Sequence, residues 1–380
     1  MAPAFFLRPD SAVPPQFAMA AAHFGIIVAA MSKGARRMAR ILPHSCRRVI
    51  RFLAILGAGL IAASMLPMAG AWLLYRYAPV AAPATDAPNA VWAGHHWVGQ
   101  AHGEEAYDDL ATHLRRHRIS DVYFHVGPLS ADGLIPPGKY SYAGRLLEAM
   151  RERAPEIMLH AWIGQVEKRG GGPLDISDGT TRANIVATAG AFAELGFDGI
   201  HYNIEPIRSG DPHLLALLED SASVTRDRGR FLSMATDELT PLPGLEYLAH
   251  LFVRQAGLWR ADYYREVAAR TDQVAVMMYD TAIPLDWMYG AVVAWETWRL
   301  REIVGPETTL FMGVPTYEDE HFGFHPEAEN MHSGLRGIGI GLALDSSSAG
   351  ESVGAAVYAN WTTDEAEWEI WRRHWLGNRN

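Results

Sequence analysis

A chain of 380 residues with 49 % hydrophobic and 20 % charged content is globular in composition and long enough for one large domain with appendages. Its charge is split, with nine Lys or Arg and one acid (Asp10) up to residue 76 but 24 basic and 42 acidic residues after it. So acidic a body lacks the basic footprint that nucleic-acid binding needs. The one cysteine, Cys46, lies in the N-terminal part, which leaves the body without a disulfide, a cysteine nucleophile or a thiolate metal site.

In chain order, residues 1–50 form a basic tail, densest from Lys33 to Arg51, ahead of an uncharged run from Phe52 to Tyr75. Such a run is long enough to cross a hydrocarbon core as a helix, so residues 51–76 are predicted to be a transmembrane signal-anchor. The positive-inside rule puts the tail in the cytoplasm and the body on the periplasmic or extracellular side of the cytoplasmic membrane. Ala69-Gly70-Ala71 resembles the small-residue site of a cleaved signal, the alternative; the apolar WLLY beyond it favours the anchor. Residues 77–90, rich in Ala and Pro, lack hydrophobic periodicity and are predicted to be a semi-extended linker lifting the body off the membrane.

From residue 91 to 380, β-rich apolar runs alternate with helical patterns. VWAGHHWV, DVYFHVGPL, EIMLHAWIG and GFDGIHYNIEP are followed by FLSMATDEL, QVAVMMYD, TLFMGVPTYED and VGAAVYANW, each with a helical stretch behind it. The stretch Glu327–Leu342 is the least regular of these. Eight strand–helix units in about 290 residues are the count and size of a (β/α)8 barrel. GIGIGLAL (Gly337–Leu344) does not satisfy the dinucleotide fingerprint and is expected to mark close packing. Trp295 and Trp298, and Trp368, Trp371 and Trp375, fall at helical spacing and are expected to be buried helix faces. Trp97, Trp162 and Trp361 sit at predicted C-terminal strand ends, where a barrel of this kind builds its active site.

In GIHYNIE, alternation puts His201, Asn203 and Glu205 on one face and Tyr202 and Ile204 on the other. The polar face is predicted to point into the barrel, with Glu205 nearest the mouth and Pro206 ending the strand. Three inward polar groups in a row are costly to bury unless they serve a purpose; a hydrogen-bonded polar layer is the alternative.

DGIHYNIE resembles the DxxDxDxE strand-four motif of glycoside hydrolase family 18, the chitinases and endo-N-acetylglucosaminidases, with Asp198 and Glu205 at its first and last positions. MMYD (Met277–Asp280) is similar to that family's strand-six MxYD, GVPTY (Gly313–Tyr317) to its strand-seven G-x-P-x-Y, and Trp361 to the tryptophan closing strand eight. The resemblance implies a glycosidase that cleaves an N-acetylhexosamine-containing polysaccharide by a substrate-assisted retaining mechanism and uses no cofactor. Glu205 would be the general acid, Asn203 would stand where a carboxylate stabilises the oxazolinium, and Tyr279 would help hold the acetamido group. Asp198, His201, Trp97, Trp162, Asp280, Tyr317 and Trp361 would bind substrate. Asn203 and His201 both replace family carboxylates, so a non-catalytic glycan-binding barrel is the second expectation.

A third is a metal-dependent polysaccharide deacetylase built on His95, His96, His125 and His201. Glu238, Glu318 and Asp319 end other strands and could bind sugar hydroxyls. His113 and His117, spaced i,i+4 on an Arg-rich helix, are expected to be solvated.

Overall fold

In the computed structural model, the described residues are 66–83, 87–242, 257–318, 323–344 and 353–377, with Leu53, Ile55, Gly57 and Gly244. Eight parallel strands close a barrel in sequence order: β1 (Ala90–Ala93), β2 (Asp121–Pro128), β3 (Met158–Val166), β4 (Gly199–Glu205), β5 (Phe231–Thr236), β6 (Gln273–Val276), β7 (Thr309–Pro315) and β8 (Val353–Tyr358). A helix follows each: α1 (Glu104–Arg116), α2 (Ala143–Arg153), α3 (Gly179–Leu195), α4 (Pro212–Arg226), α5 (Ala261–Ala268), α6 (Asp286–Val304), α7 (Met331–Ala343) and α8 (Glu365–Ile370). The predicted (β/α)8 barrel is what forms.

Local signals place the helix ends. Asp178 accepts from the Thr181 N–H ahead of α3, and Gly196, at φ 118°, ends that helix. Asp211 accepts from the His213 N–H with Pro212 in the first turn of α4, and Asp364 and Glu367 form a reciprocal capping box on α8. Leu159, Ala161, Ile163, Ile200, Tyr202 and Ile204 face outward into the core between sheet and helices. Ala90, Trp92, Tyr123, Trp162, Ala275, Phe311 and Ala356 fill the barrel interior.

The glycine-rich stretch is a regular helix, α7, where an irregular segment was expected. A Cβ on Gly337 would stand 2.5 Å from the Gly290 carbonyl oxygen and 2.7 Å from Val293 Cβ, and one on Gly341 would stand 2.6 Å from the Ala294 carbonyl oxygen. Its glycines therefore serve close packing on α6, as the failed fingerprint implied. Trp368, Trp371 and Trp375 are buried as expected, but Trp295 and Trp298 are only half-buried; the positions α6 turns inward include Glu296, which is 1 % exposed.

His113 and His117 overturn the expectation of a solvated pair. His117 is fully buried against Trp368, its Nδ1 lies 2.8 Å from the His113 carbonyl oxygen, and Arg372 donates to its Nε2 at 2.9 Å. Burial, and next the neighbouring His113, lower its pKa to about 4.

The predicted anchor and basic tail fall mostly outside the described residues; among the described residues no helix is long and apolar enough to cross a membrane. Residues 70–83 are fastened to the barrel. The Tyr75 ring fills the space beside Gly290, and Arg336 donates to the Tyr75 carbonyl oxygen at 2.7 and 3.0 Å. The Ala81 N–H donates to the Gly339 carbonyl oxygen at 2.9 Å, and Asn89 is buried against Ser120. The described parts of the predicted linker thus lie against the barrel rather than forming a free spacer.

Candidate active site

The inward face of β4 runs upward through three environments. Beneath it, Asp121 accepts from His160 Nε2 and from Gln273 Nε2, both at 2.8 Å, closing the barrel floor. His201 is the next layer. Its Nε2 accepts from the Trp92 indole N–H at 3.1 Å, so Nδ1 carries the proton and donates to Ser233 Oγ at 2.8 Å. Its ring stacks on Tyr123 at 3.8 Å, it is fully buried, and that burial, with His160 second, drives its pKa well below the usual histidine value. His201 is a neutral, fully engaged member of the interior, out of a substrate's reach.

Asn203 stands above it. β3 and β4 pair Gly164 with Asn203, and the missing side chain at Gly164 leaves room there: a Cβ would meet the Asn203 carbonyl oxygen at 3.0 Å and Trp162 Nε1 at 3.2 Å. Both Asn203 Oδ1 and Trp162 Nε1 are buried with no hydrogen-bond partner. An orphaned acceptor and an orphaned donor thus flank one glycine, each at a cost of about 1–3 kcal/mol in a closed site.

Glu205 ends the strand at the mouth. The Glu167 N–H donates to its carbonyl oxygen at 2.8 Å, and Trp259 Nε1 donates to the Ile207 carbonyl oxygen at 2.9 Å, fixing the chain on both sides of Pro206. Burial raises the Glu205 pKa, and the Asp280 carboxylate raises it further. Asp280 therefore supplies part of the like-charge repulsion that a neutral Asn203 cannot.

Tyr279 is set by the other two motifs. The Tyr289 hydroxyl donates to the Met278 carbonyl oxygen at 2.6 Å just beyond β6, and Gly313 on β7 makes room for the Tyr279 ring, since a Cβ there would stand 3.2 Å from Tyr279 Cε1. Burial raises the Tyr279 pKa well above the usual tyrosine value, keeping the hydroxyl neutral. The Tyr317 hydroxyl donates to Asp280 Oδ1 at 2.6 Å. Tyr358, at the end of β8, stacks on Tyr279 at 4.9 Å, and the Trp162 and Trp361 rings lie near-parallel, 6.5 Å apart, with Trp361 49 % exposed at the rim.

The structure therefore gathers Asn203, Glu205, Tyr279, Asp280, Tyr317, Trp162 and Trp361 at the C-terminal end of the barrel. It does not bring Asp198 there. Asp198 precedes β4 at the opposite end, paired with Arg151 at 2.5 Å and accepting from the Leu159 N–H. Trp97 is also elsewhere, on the one-turn helix His96–Gly99, packed in the core against His102 and Tyr107. His95, His96, His125 and His201 do not converge: His201 has both nitrogens engaged, His95 Nδ1 lies 2.9 Å from the His125 carbonyl oxygen, and no metal-binding group of three forms among the described residues. Asp319 lies outside the described residues.

Two mouth residues escaped the sequence analysis. Asp237 follows β5 in register with inward Ser233 and Ala235, and Tyr358 follows Gly354 and Ala356 on β8; strand alternation was the available signal for both. Burial holds the Asp237 carboxyl well above its usual range, with Glu205 and Glu238 adding to it, and burial pushes Glu238 up to about 8. Glu205, Asp237 and Glu238 are thus inclined to hold protons, in a site walled by tyrosine and tryptophan.

No family profile and no curated protein matches the chain. Solved structures do. A chitinase from Chromobacterium violaceum is 15 % identical with a TM-score of 0.50, over 77 % of this chain and 100 % of that one. The spore cortex-lytic enzyme SleL of Bacillus megaterium is 10 % identical with a TM-score of 0.51, over 76 % and 74 %. Its counterpart from Bacillus cereus is 10 % identical with a TM-score of 0.50, over the same shares. The (β/α)8 barrel fold is shared with these chitinases and cortex-lytic enzymes.

Proposed function

We propose that the protein is a glycosidase that cleaves an N-acetylhexosamine-containing polysaccharide, with Glu205 as proton donor. The observation that carries this is the partnerless Asn203 Oδ1 beneath a half-buried Glu205 whose pKa is raised. A secondary amide of a ligand offers the N–H that Asn203 lacks and the carbonyl that Trp162 Nε1 lacks. The Glu205 proton goes to the glycosidic oxygen, which leaves as an alcohol, while the acetamido oxygen bonds to the anomeric carbon. Asn203 accepts from the resulting oxazolinium N–H. Water then opens that ring at the anomeric carbon and returns a proton to Glu205. In this reading Tyr279, neutral and inward, donates to the acetamido group, and the exposed face of Trp361 takes a sugar ring. Family 18 membership is supported by the four motifs in register and by the shared fold.

The replacement of two family carboxylates by His201 and Asn203 favours one other reading, a barrel that binds glycan without cutting it. The deciding experiment is mass spectrometry of products after incubating the detergent-solubilised full chain with chitin oligomers, peptidoglycan fragments and exopolysaccharides. Shorter products from wild type and none from Glu205→Gln support catalysis. Full turnover by Glu205→Gln refutes the mechanism, and binding without products favours the second reading.

The uncharged run and the charge contrast around it support single-pass anchoring in the cytoplasmic membrane with the barrel outside. Protease added to spheroplasts then degrades the barrel and spares a short tail; a protected barrel refutes the orientation.

A further inference from the structure

A recess of about 350 Å³ opens beside Tyr317, between the end of β7, the turn before α7 and the first turns of α8. Among the described residues four carboxyls line it, Glu318, Glu327, Glu329 and Glu367, and no lysine or arginine does. Its other polar groups are already committed. Asn330 Oδ1 caps α7 through the Ser333 N–H at 3.1 Å, and Thr316 Oγ1 accepts from the Ala359 N–H at 3.0 Å. Glu329 differs from the other acids: it is 1 % exposed, one oxygen accepts from the Thr281 N–H at 3.0 Å, and Oε1 is buried with no partner. Burial pushes the Glu329 carboxyl up to about 7, so near neutral pH it holds a proton part of the time, and a cation reaching Oε1 would draw it to the charged carboxylate.

The size and the donor set distinguish the cations that could meet it. A bare calcium ion needs six to eight oxygens converging at about 2.3–2.6 Å, and no three such residues gather as a metal-binding group among the described residues. The recess is far larger than an ion and comparable to a monosaccharide. Tyr317 belongs both to it and to the candidate active site, where its hydroxyl donates to Asp280. A sugar seated in the recess would therefore belong to the same chain as one over Glu205.

We propose that this recess is a subsite for a hexosamine unit with a free, positively charged amino group, so that the preferred glycan is a partly N-deacetylated polymer. The inference rests on the glycan-processing reading above. The ammonium pairs with Glu329, the exposed Glu318 and Glu327 extend the negative field toward solvent, and Tyr317 gives the sugar an aromatic edge. The acetylated unit is kept for Asn203, the charged unit for the recess.

The test is isothermal titration of the full chain in detergent with two probes, the fully N-acetylated chitin tetramer and a tetramer of the same length with one or two free amines. Wild type is expected to bind the amine-bearing tetramer several-fold to about tenfold tighter. That ratio falls toward one in Glu329→Gln and, should that buried variant fold poorly, in the exposed double variant Glu318→Gln/Glu327→Gln. Equal affinities in wild type, a ratio that survives in both variants, or displacement of the amine-bearing tetramer by calcium chloride at constant ionic strength would overturn the subsite. Acetylated tetramer bound without amine preference removes the subsite alone; binding of neither tetramer removes the glycan reading with it.

Discussion

Gly164→Ala separates ligand recognition from folding at a single methyl group. The added carbon would sit 3.0 Å from the Asn203 carbonyl oxygen, 3.2 Å from the orphaned Trp162 Nε1 and 3.8 Å from Asn203 Cβ, crowding the side chain that carries the orphaned Oδ1. Contacts that tight require shifts of a few tenths of an ångström, an overpacking cost of about 1–3 kcal/mol. Restricting the unfolded chain gives back about 0.4–1 kcal/mol, because the Gly164 backbone is one that alanine adopts. A net loss of about 1 kcal/mol lowers Tm by about 2–4 °C. Binding suffers more, since the methyl displaces the amide that would satisfy Asn203 Oδ1 and Trp162 Nε1. Losing those two hydrogen bonds weakens affinity by about 10- to 100-fold. Calorimetric melting and titration with chitin tetramer read the two effects separately. Gly144→Ala is the control, on the exposed face of α2 with nothing within 4 Å of its Cβ. An affinity unchanged within twofold in a cooperatively folded Gly164→Ala protein would refute the role given to this glycine.

Asp280→Asn removes a charge that raises the Glu205 pKa, so the acid loses its proton at lower pH. The alkaline limb of the pH–rate profile for product formation should move acidward, and an unmoved limb would detach Asp280 from the acid. The His117 pKa is lowered to about 4, so the unfolded chain takes up its proton first. Its contribution to stability is complete above about pH 6.5 and is lost as pH falls from there through pH 4. Urea melts at pH 7 and pH 4.5 should show His117→Gln losing about 2 kcal/mol less than wild type across that interval; equal losses would contradict the depressed pKa. Gly290→Ala drives a methyl into the Tyr75 ring and should lower Tm despite better helix propensity. Tyr75→Ala should relieve much of that loss, and strict additivity in the double-mutant cycle would deny the contact.

The barrel was legible because eight β-rich apolar runs alternate with helical patterns, and because Pro206 ends one of them. The inward face of β4 was legible from its own alternation. Strand alternation assigns a face but not a height, so it placed His201 with Glu205 although Trp92 and Ser233 hold it one layer below the mouth. It gave no warning that Asp198 lies at the opposite end, because a motif written as one string crosses the whole barrel. Trp97 failed on a boundary: β1 ends at Ala93, and the short turn after it swings the indole outward onto Tyr107. The buried state of Glu296 and Glu329 depends on which helix face meets which strand end, a tertiary fact without a local pattern.

The segment fastened along α6 and α7 also has a mechanical consequence. If the chain upstream of residue 70 is held in a membrane, a pull on the barrel does not arrive first at β1, whose four residues would peel from β2 one hydrogen bond at a time. It is met by the Tyr75 ring lodged beside Gly290, by the two Arg336 hydrogen bonds to the Tyr75 carbonyl, and by the Ala81–Gly339 bond. The tether then works as a strain relief, like the clamp where a cable enters its housing. A barrel dragged by a polymer gripped in its mouth would keep its first strand in register while the clamp takes the load.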